Sequence, residues 1–230
     1  MFKKLSRLYK LSLLRGCLKR NPVWYVDIPR TGSTFLRDSL FKELGFPHGK
    51  AGIAAKKRER SSVEFFGPHS TAEQVRQIIG VELWTSLFTF SVVRNPFDRV
   101  ASLFLYYKNT EKLVAGDFKD FCQAIQGSLF WNEQSRPHPP LWRTQKSYLF
   151  DRQNNLLVKE VGRYENFAKF LDVVRKKTGL LLPDTHIVNP SLGKPQEGGG
   201  LRAIYDSSTA RLVSDFFQED FEAFGYSNRL

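Results

Sequence analysis

Only two cysteines, Cys17 and Cys122, occur in the 230 residues of the chain. Two thiols without metal-ligand spacing make neither a disulfide framework nor a zinc site, so a reducing compartment is the simpler reading. No apolar run is long enough to cross a bilayer, and the chain has no internal repeat and no low-complexity domain. Acid is scarce: 23 Asp and Glu stand against 35 Lys and Arg, a formal charge of +12. Such an excess suggests an acidic partner: a nucleotide, a sulfated or carboxylated glycan, nucleic acid or a membrane face. A basic solvated surface is the plainer alternative. Apolar content is ordinary, and the length fits one large domain.

Residues 1–20 contain Lys3, Lys4, Arg7, Lys10, Arg15, Lys19 and Arg20 and no acid. Leu5, Leu8, Leu11 and Leu14 fall near one helical face. The segment lacks the uninterrupted apolar stretch and cleavage site of a signal peptide. It reads as a basic amphipathic helix that can touch anionic lipid, with a helix packed on the domain or a frayed terminus as alternatives. The expected organisation is a basic N-terminal segment over residues 1–21 and a single domain over residues 22–230.

The chain is organised around Val23 to Leu36. Val23–Ile28 is β-branched and aromatic, which suits a buried strand. Pro29 and Gly32 stop the ladder. Ser33 or Thr34 then caps a helix, in which Phe35, Leu36, Leu40, Phe41 and Leu44 recur at helical spacing. A tight strand–turn–helix aims backbone N–H groups and the positive end of a helix dipole at one spot, which suits phosphate or sulfate. Arg30, Thr31, Ser33 and Thr34 add a guanidinium and three hydroxyls.

Residues 45–62 read as a basic loop and Val63–Phe66 as a short strand. Ser70 to Glu73 fits a capping box for a helix ending at Ile79, before Gly80. This puts His69 beside a helix N-terminus. Leu87–Val93 is a second buried strand, after which Asn95 caps and Pro96 opens a helix. A shorter helix covers Asp117–Ile125. Gly127 to Lys146 is an irregular loop, rich in Pro and Trp, of a length that is more often functional than not. Leu156–Val161 reads as a third strand, Gly162-Arg163 as a turn, Tyr164–Thr178 as a helix stopped by Gly179, Pro183–Gly200 as loop, and Ile204–Phe224 as a helix. Strands alternating with helices imply a mostly parallel sheet covered on both faces, with ligands at the carboxyl ends of its strands.

The first turn is not a Walker A loop, because no Lys follows Gly32. That weakens a kinase or GTPase reading. The second turn presents Arg94 and, two helical turns on, Ser102. At this point the chain resembles a family. Ile28-Pro29-Arg30-Thr31-Gly32-Ser33-Thr34 is similar to the 5′-phosphosulfate loop of sulfotransferases that use 3′-phosphoadenosine 5′-phosphosulfate (PAPS). Val93-Arg94-Asn95-Pro96-Phe97-Asp98-Arg99-Val100-Ala101-Ser102 resembles their 3′-phosphate motif. The likeness is strongest to the carbohydrate O-sulfotransferases and their bacterial relatives. It continues in Gly162 to Phe167, Val188 to Ser191 and Asp220 to Tyr226.

The resemblance implies a three-layer α/β, P-loop-NTPase-like fold with a mostly parallel central sheet flanked by helices. It also implies transfer of a sulfuryl group from PAPS to a hydroxyl, leaving PAP. Arg30 stands where the family usually has a catalytic Lys. Being always charged, it would act only electrostatically. Thr31, Gly32, Ser33, Thr34 and Phe35 would hold the 5′-phosphate, Arg94 and Ser102 the 3′-phosphate, and Tyr164 the adenine. Lys194 or Arg202 would close over the nucleotide. His69 is the expected base, the alternative being a His that only assists the cap. His138 is the runner-up, and His48 and His186 look like surface residues. Glu43 and Glu64 read as ordinary carboxylates, although some relatives use a Glu. Trp131, Arg136, His138, Trp142, Arg143, Gln145 and Tyr148 form a candidate acceptor cleft, or else a loop anchored by its tryptophans. No metal is expected, nor a nucleic-acid partner. The expected location is cytoplasmic with peripheral membrane contact. The competing reading is a non-catalytic basic module that binds polyanions or nucleic acid.

Overall fold

Two apolar strands and the turns behind them set the frame. A computed structural model describes residues 2–44, 69–109, 116–126, 143–184 and 200–230. Strand β1 (Val23–Val26) pairs in parallel with β2 (Phe88–Val93), and β2 pairs in parallel with β3 (Glu160–Arg163), so β2 is central. Val26 lies opposite Ser91, and Val93 lies opposite Arg163. All three carboxyl ends therefore lie along one edge of the sheet. That is where open α/β sheets bind their ligands.

Alternation along the strands sorts side chains to two covered faces. Trp24 and Val26 point to one cluster with Leu14 and Leu18 of α1 (Phe2–Arg20), Val75 and Ile79 of α3 (Ala72–Ile79), Trp84 of α4 (Val81–Ser86) and Tyr148 of α7 (Lys146–Leu149). Val23, Tyr25, Phe90 and Val92 point to the other, with Leu36 and Leu40 of α2 (Ser33–Leu44) and Phe167, Phe170 and Leu171 of α8 (Phe167–Thr178). A third cluster joins α5 (Pro96–Asn109), α6 (Phe118–Gln126), α9 (Ser207–Phe216) and α10 (Gln218–Phe224). Helices on both sides of a parallel sheet give the expected three-layer α/β, P-loop-like fold. The basic segment is helical, and Leu14 and Leu18 tie it to the sheet.

Several local expectations shift. The third strand is Glu160–Arg163, not Leu156–Val161. Asp151 accepts the amides of Gln153 and Asn155, and the resulting turn sends Leu157 N–H back to Leu149 O at 2.8 Å. Leu156 is left with one antiparallel bridge to Phe150. Gly162 is not a turn glycine: a Cβ there would sit 2.2 Å from the Phe170 ring, so it is small to let α8 close on the sheet. The cap of α3 is Thr71, paired reciprocally with Gln74, rather than Ser70 with Glu73. Residues 81–86, which carry no clear sequence signal, form α4. The long C-terminal helix breaks at buried Phe217, and its α9 half is capped by Asp206. The expected loop over 45–62, the strand at Val63–Phe66, and most of the Gly127–Lys146 and Pro183–Gly200 loops lie outside the described residues.

Candidate active site

After β1 the backbone turns sharply. Arg30 has φ +69° and Gly32 φ +84°, both in the left-handed region. For Arg30 this conformation is strained, at about 1–3 kcal/mol. Gly32 is required: a Cβ would lie 3.1 Å from the Phe167 ring and 3.4 Å from that of Tyr164. The Thr31 hydroxyl donates to Ile28 O at 2.9 Å, and buried Arg99 donates through Nε to Pro29 O at 3.1 Å. Gly32 O accepts the first helical bond, from Leu36 N–H. The opening amides of α2 have no intrahelical partner, and no acid occupies its first turn. Ser33 is buried and Thr34 exposed, with Oγ1 accepting from Arg37 at 3.4 Å. Phe35 packs edge-on against Phe167.

The second turn comes to meet the first. Arg94 Nη1 donates to Arg30 O at 3.3 Å, and Arg30 Nε donates to Ser102 Oγ at 3.0 Å. Ser102 is fully buried on α5, facing the loop. The Arg94 guanidinium lies 4.3 Å above the Tyr164 ring, and that of Arg30 lies 5.0 Å from Tyr106. Arg94 Nε is buried, with no partner among the described residues. Burial, then the charge of Arg94, lowers the Arg30 pKa, and burial lowers that of Arg94. Two guanidinium groups and a helix N-terminus thus share one partly dry place. An anion there relieves the repulsion and fills the orphan donor.

A buried network holds Arg94 in position. Gln145 accepts from Arg94 N–H and donates to Arg94 O, both at 2.8 Å. Asp220 accepts the amides of Gln145 and Lys146, each at 2.8 Å. Burial pushes the Asp220 carboxyl up to about 6, although Arg99 and the two amides oppose the shift. Glu165 accepts from Asn95 N–H at 2.7 Å and from the Tyr226 hydroxyl at 2.9 Å.

His69 lies against Asp27, just before the anion loop. Its φ is +68°. Nδ1 lies 3.2 Å from both the backbone O and Oδ2 of Asp27, and Arg37 pairs with the same Oδ2. Burial raises the Asp27 pKa, but His69 and Arg37 outweigh it and hold the carboxyl at about 2.

The model of the sulfotransferase family matches residues 18–227. The chain belongs to the sulfotransferase family. It is also similar to an uncharacterised protein of Archaeoglobus fulgidus, 28% identical over 109 residues, which span 47% of this chain and 82% of that one. No solved structure matches. Membership supports sulfuryl transfer as the general chemistry.

In this sulfotransferase-family chain Arg30, Thr31, Gly32, Ser33, Thr34, Arg94, Ser102 and Tyr164 come together at one sheet edge, with His69 on the flank of the same loop. His138 and Trp142 lie outside the described residues, as do Trp131, Arg136, Lys194, His48, His186 and Glu64. Arg143 is half-buried, and its carbonyl accepts from Arg99 at 2.9 Å. Gln145 and Tyr148, which the sequence reading gave as candidate cleft residues, are both fully buried. Arg202 forms a two-point ion pair with Asp98, at 3.0 and 3.1 Å. Glu43 accepts from Leu181 N–H at 3.2 Å. Cys122 is buried, which pushes its thiol up to about 12. Among the described residues no cluster of three or more His, Cys, Asp or Glu could hold a metal, and no helix is long and apolar enough to cross a membrane.

Sequence reasoning missed Asp27, Arg37, Glu165 and Asp220 as site residues, and it gave Gln145 to the acceptor cleft rather than to the backbone of Arg94. For Asp27 a signal was present: an acid at the end of an apolar strand, directly before the anion loop. Glu165, Gln145 and Asp220 act through partners far off in the chain and leave no local pattern.

Proposed function

We propose that the protein is an O-sulfotransferase that uses PAPS and acts on a glycan or another hydroxylated acceptor. The observation that carries this reading is the meeting of Arg30, Arg94 and Ser102 at the N-terminus of α2. The site fits PAPS. The orphaned Arg94 Nε is a donor that a phosphate would satisfy. Gly32 keeps Cβ atoms out of a turn backed by Phe167 and Tyr164. Arg30, Thr31, Gly32, Ser33, Thr34 and Phe35 would hold the 5′ end, Arg94 and Ser102 the 3′-phosphate, and Tyr164 the adenine. When bound, PAPS supplies a sulfuryl group already activated by its link to phosphate.

The chain's own residues supply the rest. Arg30 stabilises charge as it gathers on the departing phosphate oxygen, without giving up a proton. The amides that open α2 would hold the 5′-phosphate and so position the donor for transfer. Nε2 of His69 takes the acceptor proton, at a site strained in the way catalytic residues often are. The acceptor would meet the loop bearing His138, Trp142 and Arg143. Peripheral contact with an anionic membrane face belongs to the same proposal, for a cytoplasmic enzyme. Leu8, Tyr9 and Leu13 are exposed on α1 beside Arg15, Lys19 and Arg20, opposite buried Leu14 and Leu18.

The test is a screen of sulfate transfer from labelled PAPS over sugars, phenols and lipid-linked hydroxyl compounds. Transfer to one class, lost in Arg30→Ala and Arg94→Ala, supports the reading. Binding of PAP no tighter than of unrelated polyanions, with a steep salt dependence and no transfer, would make the protein a simple polyanion module instead.

A further inference from the structure

A buried carboxylate stands behind the candidate base. Asp27 directly follows β1, Arg37 sits on the first turns of α2, and His69 precedes α3, so three parts of the chain deliver one cluster. Both groups that face Nδ1 of His69, the Asp27 carbonyl and the Asp27 Oδ2, only accept hydrogen bonds. Nδ1 must therefore carry the proton. Nε2 is left with its lone pair, and no described residue hydrogen-bonds it. The His69 side chain is only 12% exposed and that of Asp27 8%, so the pair is fixed by packing as well as by charge. Arg37 keeps the carboxylate ionised by pairing with the same oxygen, while Oδ1 is buried with no partner among the described residues.

We propose that Asp27, anchored by Arg37, is a positioning residue that holds His69 in the Nδ1–H tautomer with Nε2 turned to the acceptor. The direction of proton flow rests on the sulfotransferase reading; the tautomer does not. As the acceptor oxygen bonds to sulfur, its O–H bond breaks and the proton passes to Nε2. The electron pair of the broken S–O bond stays on the phosphate oxygen that Arg30 stabilises. The imidazolium so formed sits against the Asp27 carboxylate, which lowers the cost of forming it. The proton then leaves to solvent when product departs. The other groups close enough to act on Asp27 are Tyr25 on β1, Arg37 on α2 and Tyr148 on α7.

Two readouts test this. In ¹⁵N-labelled wild type at mildly alkaline pH, long-range ¹H–¹⁵N spectra should show His69, identified by its loss in His69→Gln, protonated at Nδ1 and bare at Nε2. Asp27→Asn should lower kcat by about 10- to 100-fold with KM for PAPS changed less than about twofold. The acidic limb of its kcat/KM profile should move to lower pH, a shift that loss of packing alone would not produce. If Asp27→Asn fails to fold, the wild-type spectrum decides by itself. A His69 protonated at Nε2, or an Asp27→Asn enzyme with full kcat and an unmoved acidic limb, overturns the assignment. If no acceptor is ever sulfated while the Nδ1–H form is found, the hold of Asp27 on the tautomer stands and it is the enzyme reading that fails.

Discussion

Replacing Gln145 by leucine removes two hydrogen bonds and puts nothing in their place. The side chain is fully buried, and its amide bridges the N–H and C=O of Arg94, each at 2.8 Å. Leucine has nearly the same volume, so the cavity contribution is small. What remains is a backbone donor and a backbone acceptor, both buried and stranded. Each costs about 1–3 kcal/mol, so the expected loss is about 2–6 kcal/mol. Most domains have about 5–15 kcal/mol in total, which makes the effect easy to read by urea unfolding. The lower half of that range applies if water reaches the site. PAP binding should weaken at least tenfold, because Arg94 loses the clamp that aims it between Tyr164 and Arg30. A change below about 0.5 kcal/mol with PAP affinity intact would refute the reasoning. It would mean that the second turn is held by something other than Gln145.

Further predictions address other parts of the molecule. Gly32→Ala puts a Cβ at φ +84° and 3.1 Å from the Phe167 ring. It should destabilise by about 1–3 kcal/mol and abolish PAP binding by calorimetry; a neutral result would mean that the turn is not used. Asp220, raised from 3.8 to about 6, keeps its proton in the folded protein where the unfolded chain has lost it. Stability should therefore fall by about 3 kcal/mol between pH 4 and 6, and Asp220→Asn should flatten that slope in urea midpoints. Asp27 works in the opposite sense. Its carboxyl, lowered from 3.8 to about 2, stabilises the fold by about 2 kcal/mol above pH 4, a contribution lost as pH falls toward 2. An Asp27→Asn variant that unfolds in acid just like wild type would contradict this. Full-length protein should sediment with vesicles containing phosphatidylserine but not with neutral ones, and Leu8→Glu/Leu13→Glu should abolish this without altering PAP binding. Equal sedimentation of the double variant would sink the membrane contact.

The two strong strands and the turns after them could be read directly. Val23–Val26 and Phe88–Val93 are β-rich runs with Pro, Gly and Asn at their ends, and those signals are local. Gly162 misled because glycine has two uses: in this chain it lets Phe170 approach, and the sign of that lies in another element. The capping template fitted Ser70/Glu73 and Thr71/Gln74 one residue apart, and only the structure chose between them. The residues that brace the site were hidden for a related reason. Gln145 reaches Arg94 across 51 residues, Asp220 reaches Gln145 across 75, and His69 meets Asp27 across 42. Such pairs follow from the topology of the parallel sheet, and no window of sequence contains both partners.

The central claim is that residues 30–35 and residue 94 grip opposite ends of one nucleotide. Titration calorimetry of the wild type and Arg94→Ala with PAP and with adenosine 5′-phosphate tests it most directly. The wild type should bind PAP at one site and at least tenfold more tightly than the monophosphate, and Arg94→Ala should lose that preference while keeping weak binding to both. Equal affinity of the wild type for the two nucleotides, or an Arg94→Ala variant that still prefers PAP, would contradict the claim.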